Sequence, residues 1–198
     1  MTRVLLALLS VGALAGTVGA QSATWSVDPA HSTIGFAVRH LMISNVRGEF
    51  GDFAVQVTGD PANPAGAKVT ATIQAASVDT RDEKRDAHLR APDFLDAAAH
   101  PTIAFESTKI EAAGAGKTKV TGNLTLHGVT KEIVLNVTGP TAVITDPWGN
   151  AKAGATATTT LSRKDFGITW SKTMEGGGLV VGDAIAVTIE LEAQRGAS

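Results

Sequence analysis

From about residue 24 onward, apolar residues recur at every second position in short runs, the spacing that puts side chains on one face of a β-strand. Ile34, Phe36, Val38 and His40 share one face of the first long run, and Gly35, Ala37 and Arg39 share the other. Val69, Ala71 and Ile73 alternate with polar residues; Ile103 and Phe105 follow Pro101; Val120, Gly122, Leu124 and Leu126 follow a glycine-rich turn. Ile133, Leu135 and Val137 come next, then Ala153, Ala155 and Ala157, and last Ile185, Val187, Ile189 and Leu191. With the segment from Phe50 to Val57, the pattern predicts about eight strands.

The punctuation between the runs is turn chemistry. Gly59-Asp60-Pro61 with Pro64-Ala65-Gly66, Ala113-Gly114-Ala115-Gly116 and Asp146-Pro147-Trp148-Gly149-Asn150 each predict an antiparallel reversal. One segment departs from the two-residue period. Thr80-Arg81-Asp82-Glu83 is a capping-box sequence, and Arg81 to Leu89 then carries helix-forming residues up to Pro92, with a second short helical turn expected from Asp93 to Ala99.

Antiparallel strands in this number leave exposed edges unless the sheet closes, so the expected fold is all-β, a single eight-stranded antiparallel barrel with one or two short helices. Such a barrel is just wide enough to be filled by side chains or to hold one slim ligand. Ala151 to Ser162 contains one large apolar residue, Leu161, and adds little volume to an interior. Bulky residues opposite could fill that space, or the space is a cavity, and the pattern alone leaves both open. Ala155 and Ala157 are expected to face inward with Ala153, because the alternate set of Lys152, Gly154, Thr156, Thr158 and Thr160 holds the charge and most of the hydroxyls.

The N-terminus changes the picture of where this barrel works. Arg3, an uncharged run from Val4 to Val18 and the small residues of Val18-Gly19-Ala20 form the pattern of a cleavable secretory signal, so residues 1–20 are expected to be removed, with Ala23 as the alternative cleavage site. The run is short for a membrane anchor. The chain has no Cys, which excludes a lipoprotein signal, disulfides and thiol chemistry. Removing 20 of 198 residues leaves 178, enough for one domain (21–198) with a sizeable core, expected to be periplasmic or secreted. Without Arg3 the 17 Lys and Arg fall to 16 against 19 Asp and Glu, and no basic cluster marks a nucleic-acid partner.

Longer blocks carry a resemblance. Asp28-Pro29-Ala30-His31-Ser32, Gly35 to Leu41 and Val46-Arg47-Gly48-Glu49-Phe50 open it; Arg85-Asp86-Ala87-His88-Leu89, Pro92 to Asp96 and His100-Pro101-Thr102-Ile103-Ala104-Phe105 continue it. Thr121 to Lys131, Asp146-Pro147-Trp148-Gly149 and Arg163-Lys164-Asp165-Phe166-Gly167 complete it, from about Trp25 to Ala193. The chain resembles the YceI-like family of lipid- and polyisoprenoid-binding proteins. That resemblance implies a lipocalin-like barrel, often periplasmic, enclosing an isoprenoid quinone, a prenyl pyrophosphate or a fatty lipid. On this expectation the ligand is lined by Ile34, Phe36, Val38, His40, Ile103, Phe105, Leu124, Leu135, Ala155, Ala157, Phe166 and Trp170, with Arg81, Arg85 and His88 as a cap over its head group. The only bound group implied is that lipid, with no other cofactor. A carrier of this kind meets a membrane or membrane protein transiently, and homodimerisation stays open.

Candidate chemistry adds little to set against that reading. His31, His40, His88, His100 and His127 show no local metal spacing, which leaves only a site assembled from distant strands. His40 continues the inward face of the first long strand and is either a satisfied core histidine or a head-group contact. Arg39 is expected outside, and His127, before Gly128, is expected to be structural. No nucleophile elbow, P-loop or dinucleotide fingerprint occurs, Gly176-Gly177-Gly178 reads as a loop, and Asp165 reads as a structural tie. The sequence has no Tyr, so a phenol is unavailable as a head-group donor.

Overall fold

The computed structural model describes residues 23–175 and 177–196, so the signal segment lies outside the described residues. The strands are β1 (Ala23–Val27), β2 (Thr33–His40), β3 (Ser44–Phe50), β4 (Phe53–Asp60), β5 (Asn63–Gln74), β6 (Val78–Asp79), β7 (Thr102–Ala112), β8 (Lys117–Leu126), β9 (Val129–Thr138), β10 (Ile144–Thr145), β11 (Ala151–Ser162) and β12 (Val181–Arg195), with one helix, α1 (Glu83–Arg90). Every pairing between them is antiparallel, and β11–β12 pairing closes the sheet.

The expected eight-stranded closed barrel is present, but three of its strands are broken. Along one edge β12 pairs with β11 from Lys152↔Gln194 to Ser162↔Ala184; along the other it pairs first with β2 and then with β1. β1 and β2 are therefore one strand interrupted by a single 3-10 turn, as are β5 and β6 at Ala75–Ser77, whereas β3 and β4 are one strand bent at Gly51-Asp52. Chemistry explains the first break. Asp28 accepts from the Ala30 N–H and from His31 Nδ1, Pro29 removes a ladder donor, and Ser32 Oγ receives the Glu192 N–H to carry β12 across the gap. The segment Phe50 to Val57, expected as one strand, is split accordingly.

The connection between β6 and β7 carries α1. Its cap is Asp82, which accepts the Arg85 N–H, whereas Thr80 of the expected capping box bonds the buried Asp86 instead. Arg81 has φ 64° and stands outside the helix. From Asp93 to Ala99 the chain makes turns rather than the expected second helical turn, since Asp96 takes φ 45° and its carbonyl accepts from both Ala99 and His100.

At the same end β9 and β11 pair only at Thr156–Thr158 with Asn136–Thr138 and then part. Phe166 and Ile168, in the segment after β11, fill that region in one core cluster with Val129, Ile133, Leu135 and Leu161. Phe166 is 2% exposed. A second cluster, Val27, Ile34, Phe53 and Val55, lies against β5 and β12.

Candidate ligand-binding cavity

The barrel encloses a cavity of about 530 Å³. It runs from the β4–β5 turn, where Asp60, Pro61 and Pro64 border it, to the α1 end, where Leu89, Phe94, Leu95 and Trp170 do. Of the two alternatives left open by the small-residue strand, the cavity is the one found: Ala153, Ala155 and Ala157 border it, beside Ala193, Leu191 and Ile189, their register partners on β12. The interior face of each strand follows the two-residue period, so the expected Ile34, Phe36, Val38, His40, Ile103, Phe105, Leu124 and Leu135 all border the same space, as does Trp170. Gly122 shapes the wall, because a Cβ there would lie 2.6 Å from Cε2 of the Phe105 ring.

Two expected residues stand elsewhere. Phe166 does not border the cavity, since its ring is consumed in filling the parting between β9 and β11. Arg81 is exposed and borders a polar groove on the outer face with Arg47, Glu49 and Asp79, because its left-handed backbone turns it away from the helix face shared by Arg85 and His88.

Arg85 and His88 do border the cavity. Arg85 donates through Nε to Thr80 Oγ1 at 2.7 Å and through a terminal nitrogen to the Thr80 carbonyl at 2.8 Å, so its charge is pinned beside the β6 end. His88 lies 3.0 Å from Asp93 and meets Phe94 and Trp170 edge-on, with centroids 4.9 Å and 5.3 Å away. These three rings roof the α1 end. The His40 ring reaches the rim of the cavity and makes no hydrogen bond among the described residues. Arg39, expected outside, borders the cavity as well, at the exposed end of β2 where its guanidinium donates to the Met42 carbonyl at 3.0 Å.

Sequence reasoning missed two residues here. Arg163 is 2% exposed and donates to the carbonyls of Gly182, Ile168 and Trp170 at 3.0, 2.8 and 2.7 Å, which fixes Trp170 in the roof. Burial pulls this guanidinium below its ordinary value, and Asp183 opposes the shift. The tie expected of Asp165 is made by Arg163 and by Asp183, which takes Ser162 Oγ and the Lys164 N–H. Trp25 is 4% exposed, borders the cavity, and its Nε1–H has no partner among the described residues. Its position two residues before Val27 was the available signal.

Away from the cavity, Lys152 bonds Glu192 at 2.6 Å near Asp28 and Asp146, which raises its pKa through the Glu192 hydrogen bond first. Asp146 also accepts from the backbone of Trp148 and Asn150, forming the expected turn between β10 and β11. His127 stands in the β8–β9 turn with φ 52° and with Nδ1 bonded to the Phe166 carbonyl, which ties that turn to the segment after β11.

The model of the YceI-like domain matches residues 25–193. A UPF0312 protein of Ectopseudomonas mendocina (strain ymp) is 42% identical over 154 residues, covering 76% of this chain and 79% of the relative. Another, from Shewanella baltica (strain OS185), is 41% identical over 170 residues, covering 85% and 88%. Among solved structures, Burkholderia cenocepacia BcnA superposes with a TM-score of 0.72 at 28% identity over 84% of this chain and 98% of that one. A polyisoprenoid binding domain from Saccharophagus degradans, implicated in plant cell wall breakdown, shares the fold with a TM-score of 0.62 at 17% identity over 87% and 98%. A family model spanning nearly all the described residues, joined to relatives above 40% identity, settles the affiliation: this chain belongs to the YceI-like domain family.

Proposed function

We propose that this protein is an exported binding protein that holds a polyisoprenoid, of the quinone or prenyl pyrophosphate type, or a long-chain fatty lipid along the barrel axis, and stores or carries it. The observation that carries this reading is the apolar cavity reaching from the Pro61/Pro64 turn to the aromatic roof. Burying hydrocarbon returns about 0.8 kcal/mol per methylene. Association costs at least about 4 kcal/mol in lost freedom. A ligand therefore has to bury more than about five methylenes to bind at all, which a barrel-length cavity accommodates. Structural hydrogen bonds occupy the Arg85, His88 and Arg163 side chains, an arrangement that favours holding a ligand over reacting with it. His40 at the rim is the head-group contact in this reading, and Trp25 is a second donor for a ligand acceptor. The expected signal at residues 1–20 supports a periplasmic or secreted location, where moving a lipid through water requires a carrier that touches a membrane or membrane protein in passing.

Protein purified from its native host without detergent is expected to release about one long-chain lipid per chain on organic extraction, identified by mass spectrometry. A barrel recovered empty under those conditions overturns the carrier reading. N-terminal sequencing of the exported form is expected to begin at Gln21 or Thr24, and recovery of intact Met1 protein in membranes refutes export of a soluble chain.

A further inference from the structure

We propose that Asp96, His100 and His127 form a site for a divalent first-row transition metal, zinc in the first instance, which clamps the Asp93–His100 segment of the cap to the β8–β9 turn. Each of the three residues offers one ligand atom, and those atoms lie within 4.8 Å of one another on half-buried side chains. The two imidazoles stand edge-on with centroids 5.0 Å apart and planes at 70°.

Four features build the site. First, His127 Nδ1 lies 3.0 Å from the Phe166 carbonyl, which can only accept, so Nδ1 carries the proton and Nε2 keeps its lone pair for an ion. A backbone carbonyl behind a ligating histidine is the usual device for fixing tautomer and ring orientation. Second, Asp96 has φ 45°, and its carbonyl takes the His100 N–H at 2.8 Å, a tight turn that brings carboxylate and imidazole together. Third, the β8–β9 turn receives the His100 ring because Gly128 has no side chain; a Cβ there would lie 2.6 Å from His100 Cε1. Fourth, neither the Asp96 carboxylate nor the His100 ring makes a hydrogen bond or ion pair among the described residues. Two imidazoles and one carboxylate are a donor set suited to zinc and its neighbours, with water completing the coordination.

A second cluster of this kind among the described residues, Asp28, His31 and Glu192, is filled differently: Lys152 Nζ stands 2.6 Å from Glu192 and 3.9 Å from Asp28, so an ammonium already supplies the positive charge. At the proposed site no cation among the described residues does so. Phe94 and Leu95, which border the cavity, belong to the same connection as Asp96, so an ion bound there ties part of the cavity wall to β8 and β9.

The test uses the mature protein stripped by chelator, with zinc followed by calorimetry and cobalt by its visible absorption. One equivalent is expected to bind. Asp96→Asn keeps the shape and tolerates φ > 0 but removes the charge. It and His100→Gln are each expected to weaken zinc binding roughly tenfold or more, while His31→Gln leaves it unchanged, circular dichroism confirming that all three variants fold. Zinc is also expected to slow amide exchange over residues 91–100 in the wild type. Absence of a stoichiometric site, or equal zinc affinity in wild type, Asp96→Asn and His100→Gln, overturns the site. Loss of binding in His31→Gln assigns the ion to the Asp28 cluster and overturns it as well, and binding without slower exchange over 91–100 overturns the clamp.

Discussion

Arg163 does with side-chain hydrogen bonds what strand pairing does elsewhere, joining the end of β11 to the start of β12 and to the Ile168–Trp170 segment. Arg163→Met retains much of the volume but leaves three carbonyls without their donor. Each orphaned buried group costs about 1–3 kcal/mol, so chemical denaturation should show a loss of several kcal/mol; unchanged stability would mean that water replaces the guanidinium. Trp25 presents the opposite case, a buried donor with no partner among the described residues. Trp25→Phe keeps an aromatic ring and removes the N–H, so the delipidated protein should hold its stability or gain up to about 1–3 kcal/mol. Affinity for carbonyl-bearing lipids should fall by about 0.5–1.5 kcal/mol relative to plain hydrocarbon chains. His40→Ala is its counterpart at the rim. If His40 meets the head group, the variant discriminates less between quinone, alcohol and amide ligands in competition binding, and identical selectivity refutes the assignment.

At the scale of elements, acid should loosen the cap before the wall. The Arg85 N–H, more than any other group, holds the Asp82 carboxyl below its ordinary value; partial burial opposes this, and the Arg85 charge assists. A depressed carboxylate stabilises the fold at pH above the ordinary aspartate range, and that stabilisation disappears as pH falls through the lowered value. Amide exchange over α1 should therefore accelerate below about pH 4 ahead of β8 and β9, and Asp82→Asn, which caps without titrating, should remove that pH dependence. The same scale shows what alternation can convey. Ile34/Phe36/Val38 and Ile185 to Leu191 announce their inner faces because a strand's period is local. The breaks at Asp28–Ser32, Gly51-Asp52 and Ala75–Ser77 are set by which neighbour each half pairs with, which no run of residues records on its own. Phe166 was misplaced for that reason: its surroundings exist only because β9 and β11 part after three register positions. Asp93 to Ala99 has a helix-compatible composition, yet the left-handed Asp96 ends any helix there.

For the whole molecule, the deciding question is whether the space beside β11 exists to hold a ligand, and Ala155 and Ala157 are where it can be asked. Both border the cavity, on a strand whose other face carries Lys152 and threonines and whose register sets them opposite Leu191 and Ile189. A phenylalanine at either position projects into space that a packed barrel would already have filled. Overpacking a filled core costs about 1–3 kcal/mol. In a barrel with about 530 Å³ of room the added ring finds space, so the delipidated variants should unfold at the wild-type temperature or above it. The same ring removes the volume a hydrocarbon chain would occupy, so co-purifying lipid should fall steeply in both variants. Thermal unfolding of the stripped proteins, measured beside their lipid content as purified, reads both effects on one sample. Full lipid content with lowered stability would mean that the chain lies elsewhere and that β11 merely closes a core.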